Sequence, residues 1–171
     1  MIKHLSIVSI LGCGWFGLTL AKRLSDKGYY IKGSATSKEK LRLLQQNEIE
    51  AFLVQLHPDI EAERALDFFT CDILIITIPP KGEPDNFLLQ IAAIIQGVET
   101  HRVKQVIFIS STAVYGNVNG IVTEASVAEP QTASGRAMLE AENLILNNTN
   151  FSGTVIRFGG LTGPGRHPGR F

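Results

Sequence analysis

Short apolar runs alternate along this chain with segments whose apolar positions fall three and four residues apart. Leu5, Ser6, Ile7, Val8, Ser9, Ile10 and Leu11 read as a strand. Leu18, Leu20, Ala21 and Leu24 then give a helix one apolar face, and Gly28 stands where a C-terminal glycine cap belongs. Tyr29 to Lys32 predicts a second strand, Ser37 to about Gln46 a helix with Leu41 and Leu44 inward, and Ala51 to Val54 a short third strand. Ala62, Ala65, Leu66 and Phe69 lie at helical spacing and predict a helix from Ile60 to Phe69. The run ILIITI, Ile73 to Ile78, suits a strand buried on both faces of a parallel sheet, and Pro79 and Pro80 end it. Asp85 is placed to cap a helix through Phe87, Leu88, Ile91, Ile94 and Ile95. Val106 to Ile109, Ser134 to Leu146 and Thr154 to Phe158 complete the pattern as strand, helix and strand. The alternation predicts an α/β fold of Rossmann type, a doubly wound parallel sheet in three α/β/α layers, with strand order 3-2-1-4-5-6. One domain over residues 1–171 accommodates it.

The predicted strand ends position the chemistry. Gly12 to Gly17 reads GCGWFG, a G-x-G-x-x-G between a strand and a helix, which is the context a dinucleotide-binding turn requires. Gly12 would make the tight turn, Gly14 would let the backbone approach a pyrophosphate, and Gly17 would let the helix pack close. Trp15 and Phe16 fall within the same turn, at the helix end whose free N–H groups favour anions. A glycine-rich turn without ligand is the plainer alternative. After the second strand come Gly33, Ser34, Ala35, Thr36, Ser37 and Lys38, with no acid to bind a ribose 2′-hydroxyl. Ser34, Thr36, Ser37 and Lys38 instead suit a 2′-phosphate, so NADP is the expected cofactor and NAD the alternative. Thr36 could also simply cap the next helix in a box with Glu39. Ile78, Pro79 and Pro80 sit at the carboxyl edge of the sheet, where they would border the cofactor, and Lys81 reads as a solvated charge. Ser110, Ser111 and Thr112 are delivered to that same edge. The 22 residues from Thr112 to Ala133 are long for a loop, which suggests a functional segment.

Composition narrows the partners. Basic and acidic residues number 16 each, so no electrostatic footprint argues for nucleic acid or an anionic membrane surface. A small-molecule substrate is expected instead, and 44% hydrophobic residues suffice for a core. Lys3 and His4 before the mostly apolar stretch from Leu5 to Ala21 imitate a signal peptide. The three glycines at fingerprint spacing and the following Lys22 and Arg23 argue against that, and a cytoplasmic protein with no membrane span is expected. Cys13 and Cys71 lack framework spacing, and His4, His57, His101 and His167 are scattered, so neither disulfides nor a metal site are expected.

The string SSTAVYG, Ser110 to Gly116, resembles the extended short-chain dehydrogenase/reductase family, the NAD(P)-dependent sugar epimerase/dehydratase group. GCGWFG, the acid and proline at Glu124 and Pro130, and IRFGGLTGPGRHP from Ile156 to Pro168 agree with it. The resemblance implies that Ser111 hydrogen-bonds the reacting hydroxyl or carbonyl. It also implies a Tyr-x-x-x-Lys on the next helix, where the lysine tunes the tyrosine as acid and base. Counting from Pro130, Ser134 falls on the tyrosine, Met138 on the lysine and Glu142 on a glutamate that often follows. Serine cannot replace a phenol and methionine carries no charge, so the chain resembles the atypical members of that family. Tyr115 is the nearby phenol that could substitute, packing being its plainer reading, and Arg136 reads as a surface arginine or an anion ligand.

Extended members continue into a further strand and a C-terminal substrate lobe, whereas this chain stops at Phe171. The expectation is therefore a chain shortened before that lobe, with apolar surface open to homo-oligomer formation. Functionally it reads as the NAD(P)-binding domain of an atypical epimerase, dehydratase or reductase for a nucleotide sugar or similar polar substrate. A non-catalytic NADP-binding sensor or scaffold is the alternative. S-adenosylmethionine-dependent methyl transfer is disfavoured by SSTAVYG and by the missing acid.

Overall fold

The structure, a computed structural model, describes residues 6–170 apart from 58, 63, 81 and 82. Lys3, His4, Leu5, Lys81 and Phe171 lie outside the described residues. In chain order the elements are β1 (Ile7–Leu11), α1 (Trp15–Asp26), β2 (Tyr30–Ala35), α2 (Lys38–Gln45), β3 (Glu50–Leu53), β4 (Gln55–Leu56) and β5 (Ile60–Glu61). They continue with α3 (Ala65–Phe69), β6 (Ile73–Ile76), α4 (Pro84–Thr100), β7 (Gln105–Ser111), a 3-10 turn (Thr112–Tyr115), α5 (Ala133–Leu146) and β8 (Ser152–Phe158). A last 3-10 turn spans Pro168–Arg170.

Six strands form one parallel sheet in the order β3-β2-β1-β6-β7-β8, the doubly wound arrangement the sequence predicts. Alternation along each strand divides its side chains between two cores. Val8, Ile10 and Ile75 pack with Ala21 of α1 and Leu44 of α2. Leu11, Leu74, Ile76 and Phe108 pack with Phe87, Ile91, Ala141 and Ile145 of α4 and α5. β6 is buried on both faces, which is why ILII carries no polar position.

The caps follow local chemistry. Gly28 at φ +85 closes α1, with its N–H bound to Ser25 O at 2.8 Å and the Tyr29 N–H to Leu24 O at 3.1 Å. Ser37, rather than Thr36, caps α2, its Oγ accepting from the Lys40 N–H at 3.4 Å. α4 starts at Pro84 with Glu83 as cap, so Asp85 lies inside the first turn and makes no capping bond. Proline fixes the helical φ at a position whose N–H needs no partner, which sets the start two residues earlier than the aspartate suggests.

One predicted helix is mostly absent. Residues expected in a helix from Ile60 to Phe69 give β5, which pairs antiparallel with β4, and only the short α3. Tertiary contacts outweigh the helical spacing here. The Gln90 side chain donates to Leu56 O at 3.1 Å, and Leu56 and Ile60 pack on the core. Arg64 is drawn to β3, with its guanidinium 3.0 Å from Glu50 and 4.6 Å above the Phe52 ring centre, and its backbone is not helical. Leu66 is 64% exposed as a result.

Candidate cofactor site

The carboxyl ends of the sheet strands open onto a cleft of about 580 Å³. Its floor is the turn between β1 and α1, where each glycine has its own physical cause. Gly12 sits at φ +100, and a Cβ there would lie 2.9 Å from Ile78 and 3.0 Å from Thr77. A Cβ on Gly17 would come within 2.5 Å of Gly12 O, so α1 could not approach the turn with any larger residue. Gly14 differs, because a Cβ there would meet no protein atom within 4 Å. It lines the cleft, so its missing side chain leaves room for a ligand rather than for the fold.

Gly14 is also the N-cap of α1 and offers no side chain to the first N–H groups of the helix. No acid stands in that first turn. These groups, without intrahelical partners, present the positive end of the helix to the cleft. The turn itself is braced from two strands. Ser34 Oγ accepts the Gly12 N–H at 2.9 Å, Ser34 O accepts the Cys13 N–H at 2.9 Å, and the Thr77 hydroxyl donates to Gly12 O at 2.6 Å. Cys13 is buried beneath it, and burial pushes its thiol up to about 12, only partly offset by a backbone hydrogen bond involving Ser34.

Among the residues singled out by sequence, Gly12, Gly14, Trp15, Phe16, Gly17, Ser34, Thr36, Ile78, Pro79, Ser110 and Ser111 all line this one cleft. Ser37, Lys38 and Pro80 do not. Of the lysines that follow β2, Lys40 is the one that lines the cleft among the described residues. Lys38 and Lys40 both stand in the first turn of α2, so no local signal in the sequence separates them. Thr77, Met138 and Arg166 also line the cleft without having been singled out as ligand-binding. They converge only through the tertiary fold, from the residue after β6, from α5 and from the C-terminal segment. Among the described residues, Lys40 and Arg166 are the charged members of the lining, and both are cationic.

On the far wall, Ser111 caps the 3-10 turn, its Oγ accepting from the Ala113 N–H at 3.2 Å, which leaves its own O–H free to donate into the cleft. Met138 lines the wall with a thioether where the resemblance would put a lysine, and Ser134 is exposed, 3.3 Å from the Thr132 hydroxyl. Tyr115 does not line the cleft. It is buried, its Oη accepts from Arg157 Nη1 at 2.7 Å, and the guanidinium lies 4.8 Å from its ring centre, an arrangement that suits the packing reading. Ser110 lines the cleft but donates to the buried Glu142 at 2.5 Å. The Arg157 guanidinium, held further into its charged form by Glu142, completes this network. Arg136 is exposed and donates to Gln131 O at 3.1 Å, away from the cleft.

Comparisons with known proteins agree with this architecture. Residues 12–170 match the family model described as NAD(P)H-binding. Protein YeeZ of Escherichia coli strain K12 is 37% identical over 169 residues, and the match covers 96% of this chain and 62% of YeeZ. The chain thus spans under two thirds of that relative's length. A conserved protein of unknown function from Silicibacter pomeroyi is 26% identical with a TM-score of 0.77, over 95% of this chain and 55% of that one. A UDP-glucose 4-epimerase from Brucella ovis, solved in complex with NAD, shares the fold at a TM-score of 0.72 and 17% identity, over 90% of this chain and 51% of its own. No helix among the described residues is long and apolar enough to cross a membrane. The chain belongs to the NAD(P)H-binding family and shares its fold with the UDP-glucose 4-epimerase.

Proposed function

We propose that this chain is the NADP-binding domain of an epimerase/dehydratase-like oxidoreductase acting in the cytoplasm on a nucleotide sugar or a similar small polar substrate. The observation that carries the cofactor preference is the acid-free end of β2, where Thr36 and Lys40 line the cleft and, among the described residues, no carboxylate lines it to take a ribose 2′-hydroxyl. A 2′-phosphate adds a dianion at that place, and an ammonium on a flexible stem can meet it. The pyrophosphate would lie over Gly14 and the N-terminus of α1. The nicotinamide, when bound, supplies hydride acceptance or donation; Ser111 would present its hydroxyl to the reacting oxygen. The substrate class is supported by the likeness to the UDP-glucose 4-epimerase fold.

Met138 favours a second reading. With a thioether on the wall and Tyr115 outside the cleft, no tyrosine lines the cleft among the described residues, an arrangement that suits a non-catalytic NADP sensor. Titration calorimetry of the wild type and Lys40→Ala with NADPH and NADH tests the cofactor reading. The wild type is expected to favour NADPH, and the variant to lose that preference while keeping NADH affinity. Equal loss of both, or no preference in the wild type, overturns it. Nicotinamide oxidation that depends on Ser111, in a chain extended to the length of YeeZ, separates enzyme from sensor.

A further inference from the structure

The segment after β8 returns to the glycine turn at one place. Gly163 and Arg166 exchange two backbone hydrogen bonds, Gly163 N–H to Arg166 O at 3.1 Å and Arg166 N–H to Gly163 O at 2.8 Å. They close a tight turn over Pro164 and Gly165, the latter at φ +75, a conformation glycine adopts at little cost. This hairpin is fastened to Trp15, the first residue of α1. The indole Nε1 donates to Pro164 O at 2.8 Å, and the Arg166 guanidinium lies 4.7 Å from the ring centre. The fit is close, since a Cβ on Gly163 would come within 2.8 Å of the indole.

Arg166 is thereby planted on the cleft wall beside the residue that follows Gly14. Stacking occupies the face of a guanidinium and leaves its N–H edges free, and no ion pair to Arg166 exists among the described residues. A cation held flat against the phosphate-binding turn, with its donors unspent, matches an oxyanion that the helix N-terminus attracts from the other side. Lys40 cannot serve both ends of the cofactor, because it stands with Thr36 at the end of β2.

We propose that the Gly163–Arg166 hairpin is a clamp in which Arg166 binds the pyrophosphate of the dinucleotide and Trp15 sets its position. The clamp rests on the cofactor reading given above. It works by direct contact: the guanidinium donates to phosphate oxygens, the indole fixes the hairpin, and Gly163 allows the two to touch. Trp15 is the chain's one tryptophan, so its fluorescence reports the hairpin directly.

The test compares two probes on the wild type, Arg166→Ala and Gly163→Ala, each checked for unchanged thermal unfolding. ADP-ribose carries the pyrophosphate; adenosine 2′-monophosphate lacks it and reports the Lys40 end alone. For Arg166→Ala the expected result is a loss of about tenfold or more in ADP-ribose and NADPH affinity, with adenosine 2′-monophosphate within about twofold of wild type. Gly163→Ala is expected to weaken ADP-ribose binding as well and to alter Trp15 emission in the free protein. Unchanged affinity for ADP-ribose in Arg166→Ala, or equal losses for both probes, overturns the clamp while the cofactor reading stands. If the folded wild type binds neither NADPH nor ADP-ribose, the cofactor reading fails and the clamp with it.

Discussion

Arg157 on β8 grips Glu142 on α5 through both carboxylate oxygens, with Nη2 to Oε2 at 2.6 Å and Nε to Oε1 and Oε2 at 3.0 and 3.1 Å. Glu142 is only 1% exposed, so this pair ties the edge strand to the helix that covers it. The same carboxylate accepts from Ser110, and the same guanidinium reaches Tyr115. Removing one member leaves a charge without its partner in a poorly solvated place. Glu142→Ala is expected to cost about 3 kcal/mol in chemical denaturation, and replacing both residues by apolar ones to cost less.

The glycine turn separates fold from ligand. Gly17→Ala would force a Cβ against the Gly12 carbonyl, and urea unfolding should show a loss of about 2 kcal/mol or more. Gly14→Ala meets no protein atom within 4 Å, so its unfolding midpoint should match wild type while NADPH affinity falls. Equal stability losses in the two variants would remove the argument that Gly14 is kept for a ligand.

Lys32 is a buried cation without a carboxylate partner among the described residues. Its ammonium donates to Asp67 O at 2.5 Å and Thr70 O at 2.9 Å, and so finishes the C-terminal end of α3. Lys32→Met keeps the stem and removes the donors. It is expected to lower stability by about 1 to 3 kcal/mol and to raise hydrogen exchange in α3 before the rest of the sheet.

Burial of Cys13 makes stability depend on pH on the alkaline side. The folded thiol titrates at about 12, above the ordinary 9.0. Between those values the unfolded chain has lost a proton that the folded chain keeps, so stability is expected to fall as pH rises through this window. Below it the thiol contributes no slope. Denaturant titrations from pH 8 to about 11 on the wild type and Cys13→Ala test this, and the variant should show a shallower decline. Cys13 is also expected to resist thiol reagents in the native state at neutral pH.

The sequence by itself determined the order of strands and helices and most of the cleft's inner wall. Apolar runs such as ILII can be satisfied only where both faces are covered, and a glycine at φ +100 is dictated by the turn it makes, so both are legible locally. Only the tertiary structure decided the segment from Gln55 to Phe69, where pairing of β4 with β5 and the pull of Glu50 on Arg64 outweighed a helical spacing. It also decided which cation faces the cleft. Lys38 and Lys40 are two residues apart on one helix, about 200° around its axis, so they point to opposite sides, and the packing of α2 on β2 and β3 selects Lys40. Trp15 lies 149 positions from Pro164 and 151 from Arg166 along the chain, and no local pattern in either stretch encodes that they meet. Local rules fix what each segment becomes; which side chains share a site depends on distant contacts that only the folded chain forms.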